Sequence, residues 1–209
     1  QDDFWMPEKL KVATDMLSRF EDVPALYFSQ TQLTDADLNL IKTSVIFPKC
    51  TLGEAMISHN ATGCTFVFNH KLIEILRKYT PSYFSMHDNW IYRVCLAVGG
   101  SVLFDPVPHI LYRQHKNNVI GLKNSRWKRI RLRCHRIIKK ERERSRLAGE
   151  LIKGYGNVLS PTNLHLLKLA ADSPSSLIDR IRLICCKDLV CPSIRCNISS
   201  RISILLGTY

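Results

Sequence analysis

The sequence predicts an α/β fold followed by a basic helical region, on three observations. Short apolar runs typical of buried strands alternate with helical patterns over residues 1–122. Strand patterns are absent after that point. Charge is concentrated as well: the 209-residue chain has a net charge of +12, and segment 123–146 holds twelve of its 30 Lys and Arg residues but two of its 18 Asp and Glu residues. The body before it is nearly neutral.

The elements follow in order. Pro7 suits the first turn of a helix over 7–20, and Pro24 separates that helix from a strand. The predicted strands are ALYFS at 25–29, CTFVFN at 64–69, SVLFD at 101–105 and HILYR at 109–113. The remaining predicted helices are 51–59, 70–79, 87–100 with a Gly stop, 124–152, 161–171, 175–187 and 194–206. Segment 31–41 is turn-rich, and a domain boundary is predicted near residue 122.

Composition excludes several classes of protein. With 45% hydrophobic and 23% charged residues the chain is neither disordered nor fibrous. It has no run of about 18 apolar residues that could span a membrane, and its first residues do not resemble a signal peptide, so we expect a cytoplasmic protein. None of its eight cysteines forms a CxxC pair, which disfavours structural zinc, and without a secretory signal we expect the thiols to be reduced.

Three short motifs could carry chemistry. Asp2 and Asp3 form a carboxylate pair that fits either a divalent-cation site or the entry to a helix. Asp88 stands at a helix start, where it fits either an N-cap or a general base. Arg113 and His115 follow a strand and fit either a phosphate and metal site or an ordinary surface. Each motif alone leaves both interpretations open.

The order of these motifs resembles the family 2 glycosyltransferases, in particular the bacterial rhamnosyltransferase-like branch. The similar segments are QDDFWMPEKL, LYFSQ, LTDADLNLI, NATGCTFVFNHKL, MHDNW and ILYRQHKNNVIG. They are collinear with the family pattern through about residue 122. The resemblance implies the C-terminal part of a GT-A type doubly wound sheet in residues 1–122, followed by a basic α-helical appendage in residues 123–209.

The resemblance also implies roles for individual residues. Asp2, Asp3 and His115 are expected to bind Mg²⁺ or Mn²⁺, and Arg113 and His115 to contact the diphosphate of a nucleotide-sugar donor such as dTDP-rhamnose or a UDP-sugar. Asp88 is expected to be the general base of an inverting transfer. The residues expected on the acceptor side are Gly63, Cys64, His87 and Trp90. Since the family's N-terminal nucleotide-binding half has no counterpart here, we expect a fragment that is inactive alone.

The basic segment 123–146 points to an anionic partner. Apolar residues alternate with its cations, which is typical of a helix lying on an anionic membrane, and we expect peripheral attachment to the inner face of the cell membrane, near a lipid-linked saccharide acceptor. The residues expected to meet that surface are Arg126, Trp127, Lys128, Arg129, Arg131 and Arg133. The alternative is a helical module that binds nucleic acid or a protein partner. We expect no nucleic-acid partner, because the body has no recognised nucleic-acid-binding motif.

Overall fold

The computed structural model describes residues 3–43, 45–58, 61–114 and 142–209. The seven strands of this part are β1 (Phe4–Trp5), β2 (Ala25–Ser29), β3 (Gln32–Thr34), β4 (Leu40–Thr43), β5 (Val67–Phe68), β6 (Ser101–Asp105) and β7 (Ile110–Arg113). Its eight helices are α1 (Lys9–Leu17), α2 (Leu52–Ile57), α3 (His70–Leu76), α4 (His87–Ala97), α5 (Glu143–Tyr155), α6 (Pro161–Asp172), α7 (Leu177–Cys185) and α8 (Ile194–Leu205). The predicted α/β class is confirmed.

The strands form two small mixed sheets. One has the order β5-β2-β6 and the other the order β1-β7-β3-β4. The pairs β2–β6 and β3–β7 are parallel, while the other pairs are antiparallel. Because β2 runs directly into β3, and β6 into β7, the carboxyl ends of β2 and β6 lie at the junction of the two sheets. The backbone N–H of Gln30 donates to the carbonyl of Asp105 across this junction at 3.0 Å.

Strand β2 is buried along its whole length, as its apolar run predicts. Ala25 and Tyr27 face α1, where they pack with Ala13 and Leu17. The alternate residues Leu26 and Phe28 face the larger core. A strand covered on both faces is expected to be largely apolar, and β2 is apolar from Ala25 to Phe28, with the buried Ser29 at its end.

The helices after residue 142 belong to that larger core. Leu147, Leu151 and Tyr155 of α5 are almost fully buried in the same cluster as Leu72 and Trp90. The predicted boundary near residue 122 and most of the predicted helix 124–152 lie outside the described residues. Within them, α5 and the following helices share one apolar core with the β5-β2-β6 sheet.

Two segments differ from the sequence prediction. The predicted strand at 64–69 is only two residues long, because a 3-10 turn over Gly63–Thr65 directs the Thr65 N–H and hydroxyl to the Thr62 carbonyl at 2.9 and 2.7 Å. The turn-rich segment 31–41 contains β3 and β4. Asp35 turns the chain between them by accepting the N–H groups of Asp37 and Asn39, each at 2.9 Å.

Candidate functional site

Asp3 lies at the edge of the second sheet, beside the end of β7. The pairing of β1 with β7 places Phe4 opposite Leu111. The Asp3 carboxylate accepts the backbone N–H of Arg113 at 3.2 Å. Asp3 is therefore not the cap of α1, and two of the predicted site residues meet although they are far apart in the sequence.

Cys64 lies in the 3-10 turn and contacts Asp3. Burial, followed by the adjacent Asp3 carboxylate to which the thiol is hydrogen-bonded, raises the pKa of Cys64 to about 12. A raised pKa is the opposite of what activates a cysteine nucleophile. The role of Cys64 here is to connect Asp3 with the turn that carries Gly63.

Gly63 connects the turn to the start of α4. Its backbone N–H donates to one Asp88 carboxylate oxygen at 3.2 Å, and the Asn89 N–H donates to the other at 2.7 Å. A Cβ atom at position 63 would lie 2.9 Å from the Asp88 Cβ and 3.2 Å from the His87 Nε2. Only glycine therefore permits this approach without a shift of the neighbours.

Asp88 is buried, although it stands near the beginning of a helix. It is the second residue of α4, and the N-cap is Met86, which makes no side-chain capping bond. The capping role that the sequence left open is not realised. Instead, two backbone N–H groups from separate segments fix the direction of the carboxylate, while His87 beside it is exposed.

Trp90 is located differently from the other acceptor-side residues. It is buried between Tyr79 and Tyr155, with ring centroids 6.4 and 6.2 Å away. Trp90 belongs to α4 and Tyr155 to α5, while Tyr79 lies just after α3. Trp90 thus supports the helix that carries Asp88 from its far side.

Lys9 is a residue near the site that the sequence analysis did not single out. It is 1% exposed, and its Nζ lies 3.7 Å from the centroid of the Trp5 ring. Among the described residues this Nζ has no hydrogen-bond partner. Burial lowers the pKa of Lys9, and the neighbouring Cys64 opposes that shift. The spacing of Lys9, Ala13 and Leu17 on one face of α1 was the signal for its burial.

A polar network at the junction of the sheets was also not predicted. The Asp105 carboxylate accepts the Tyr27 hydroxyl at 2.9 Å and lies 3.0 Å from His109 Nε2, while His109 Nδ1 lies 3.3 Å from Glu8. The Val107 N–H donates to the same carboxylate at 2.8 Å. These contacts connect β2, the β6–β7 loop and the start of α1, so they fix the strand ends that flank the site.

The remaining predicted site residues lie outside the described part of the chain. This applies to Asp2 and His115, and to the predicted membrane-surface residues in segment 126–133. Among the described residues no group of three His, Cys, Asp or Glu side chains is placed to hold a metal ion. Of the three expected metal ligands, the structure describes Asp3.

No protein-family model, curated protein or solved structure matches the chain. In the ranges that the structure describes, no helix is both long enough and apolar enough to cross a membrane.

Proposed function

We propose that the chain belongs to an inverting, metal-dependent glycosyltransferase that moves a sugar, rhamnose in our proposal, from a nucleotide-sugar donor to a lipid-linked saccharide. One observation carries this proposal. Residues selected by the order of the motifs form a chain of contacts from Arg113 through Asp3 and Cys64 to Gly63 and Asp88. They come from four separate segments, so their proximity is a property of the fold and not of local sequence.

The proposed general base is Asp88. Its carboxylate is fixed by the N–H groups of Gly63 and Asn89, and such fixed geometry is what proton removal from an acceptor hydroxyl requires. A single base and no protein nucleophile correspond to one displacement at the anomeric carbon, with inversion. The proton goes to Asp88, and the bonding electrons of the breaking bond leave with the nucleotide diphosphate.

The proposed diphosphate site is at the end of β7. Asp3 supplies a carboxylate oxygen, the ligand type that Mg²⁺ and Mn²⁺ prefer, whereas the sulfur of the adjacent Cys64 is a soft ligand that suits neither cation. Asp2 and His115 are the other proposed ligands, and Arg113 is the proposed cationic contact. When bound, the cation would offset the charge that develops on the departing diphosphate.

The test is a transfer assay on the full-length protein, with dTDP-rhamnose or a UDP-sugar, Mn²⁺ and a lipid-linked saccharide. We expect a product of inverted anomeric configuration and loss of activity with a chelator. Asp88→Asn should lower turnover by about 10² or more while donor binding is kept. The exposed Asp15→Asn is the matched control. Equal turnover of the Asp88→Asn variant and the control would refute the assignment of the base.

We further propose that this enzyme works as a peripheral protein at the inner face of the cell membrane. The support is the sequence of segment 123–146, where cations and apolar residues alternate, together with an acceptor carried on lipid. Replacement of Arg126, Lys128, Arg129, Arg131 and Arg133 by Gln should abolish the salt-sensitive part of binding to anionic vesicles. Unchanged binding would remove the segment from this role.

A further inference from the structure

The last two helices that the structure describes form a hairpin with an exposed aliphatic face. Helices α7 and α8 contact each other and are joined by eight residues. The Arg180 guanidinium near the start of α7 donates to the Leu205 carbonyl at the end of α8, at 3.1 Å. The two helices are therefore antiparallel neighbours on the surface of the core.

Their outward residues repeat at helical spacing. On α7 they are Leu177, Ile178 and Ile181, and on α8 and just beyond it they are Ile194, Ile198, Ile202, Leu205 and Leu206. All eight side chains are between 49% and 76% exposed. In the described ranges nineteen large hydrophobic side chains are exposed, and these eight are the only group of that size on one supersecondary unit.

Each helix of the hairpin also has a buried inner side, which is separate from these exposed residues. Leu183 of α7 and Ile204 of α8 are fully buried, and Ser200 is nearly so. On a helical wheel each buried position lies opposite its exposed stripe. The hairpin is thus apolar on both sides, a pattern that a helix facing water on its outer side does not need.

The charges around this face are mainly positive. Arg182, Lys187 and Arg195 are exposed, whereas Asp188 is the one exposed acid in 177–206. Asp179 is partly buried and lies 3.5 Å from Arg182. An aliphatic surface on a unit with three exposed cations and one exposed acid is complementary to anionic lipid headgroups above acyl chains.

We propose that the outer face of the α7–α8 hairpin lies in the headgroup region of an anionic lipid bilayer, with its isoleucine and leucine side chains among the first acyl carbons. The proposal goes beyond sugar transfer and does not depend on it, and it assigns a surface different from segment 123–146. A second copy of the chain fits this face less well, because no aromatic side chain, the usual anchor of protein interfaces, is present on it.

The test is co-sedimentation of the chain with vesicles of phosphatidylcholine and phosphatidylglycerol, at low salt and at about 0.5 M NaCl, where charge attraction is largely screened. We expect binding to remain in part at high salt, because aliphatic insertion does not depend on charge. Ile181→Gln with Ile198→Gln should lower the partition coefficient about tenfold or more at both salt concentrations. The matched control is Leu10→Gln with Val158→Gln, two exposed aliphatic residues elsewhere on the surface, which should leave it unchanged.

A second measurement separates insertion from altered folding. Ile198→Trp should show indole emission quenched by vesicles that contain brominated acyl chains, while Val158→Trp should not. All variants should keep the wild-type melting temperature, because the replaced side chains are exposed.

Three results would overturn the proposal. One is no vesicle binding by the wild-type chain at low salt, and another is equal binding of the isoleucine variant and the wild type. The third is a lipid-free dimer in sedimentation velocity that the isoleucine variant dissociates, which would assign the face to a second copy. If binding is lost only when segment 123–146 is changed, the isoleucine variant binds like the wild type, which is the second of these results. None of these measurements involves sugar transfer, so failure of this proposal is distinguishable from failure of the proposed enzyme function.

Discussion

Replacement of Gly63 by Ala is the most direct test of the geometry around Asp88. The φ angle at Gly63 is not among the positive values, so alanine meets no backbone strain there. Its methyl group would instead lie 2.9 Å from the Asp88 Cβ and 3.2 Å from the carboxylate oxygen that accepts the Gly63 N–H. The side chain of Asp88 must move, because no real Cβ contact is that short.

The magnitude follows from three effects. Overpacking costs about 1–3 kcal/mol, and a weakened charged hydrogen bond costs about 1.5 kcal/mol or more when fully lost. The lower entropy of the unfolded alanine chain returns about 0.4–1 kcal/mol. The expected net loss is about 2 kcal/mol, which lowers the melting temperature by about 4–8 °C for a chain of this length.

The control is Gly149→Ala in the middle of α5, where a new Cβ meets no atom within 4 Å. Helix propensity alone should then stabilise the protein by about 0.5–1 kcal/mol. Thermal unfolding followed by circular dichroism measures both variants. If Gly63→Ala melts at or above the wild-type temperature, the close contact between Gly63 and Asp88 is absent in solution and the described site geometry is wrong.

Three further predictions concern individual polar side chains. Lys9→Met should raise the unfolding free energy at pH 7 by about 1 kcal/mol. In the wild type, stability should rise with pH between the lowered pKa of Lys9 and its ordinary 10.5, because in that range only the unfolded chain keeps the proton; Lys9→Met should remove this rise. The control Lys11→Met, at an exposed position, should change neither quantity. Burial acts to raise the pKa of Glu150, but hydrogen bonds from Ser82 and Tyr79 outweigh it and hold that pKa below 4.5. Stability should therefore fall as the pH drops through the lowered value. Glu150→Gln should reduce this loss of stability at acidic pH, measured by urea unfolding. Asp105→Ala should cost about 3 kcal/mol in urea unfolding, since the Tyr27 hydroxyl and the Val107 N–H lose their acceptor and His109 Nε2 loses its polar partner. A cost under about 1 kcal/mol would contradict the network.

Local pattern was enough to predict most elements. The apolar run of β2, the cap at Asn69 before α3 and the Ser160-Pro161 start of α6 are decided by neighbours within a few residues. Helix and strand periodicity therefore predicted the α/β class and approximate bounds. The ordered motifs also selected Asp3, Gly63 and Asp88 before any contact between them was known.

The tertiary structure decided what depends on distant segments. Strand β4 exists because β3 offers it an edge, and the aliphatic residues of α7 and α8 look like core residues in the sequence, although their outer stripes face solvent. The burial of Lys9 against Trp5 and the contact of Asp105 with Tyr27, 78 positions away, are equally invisible to local pattern. The physical reason is that burial and hydrogen-bond partners are set by which surfaces meet in the folded chain, and periodicity specifies only which face of an element is apolar.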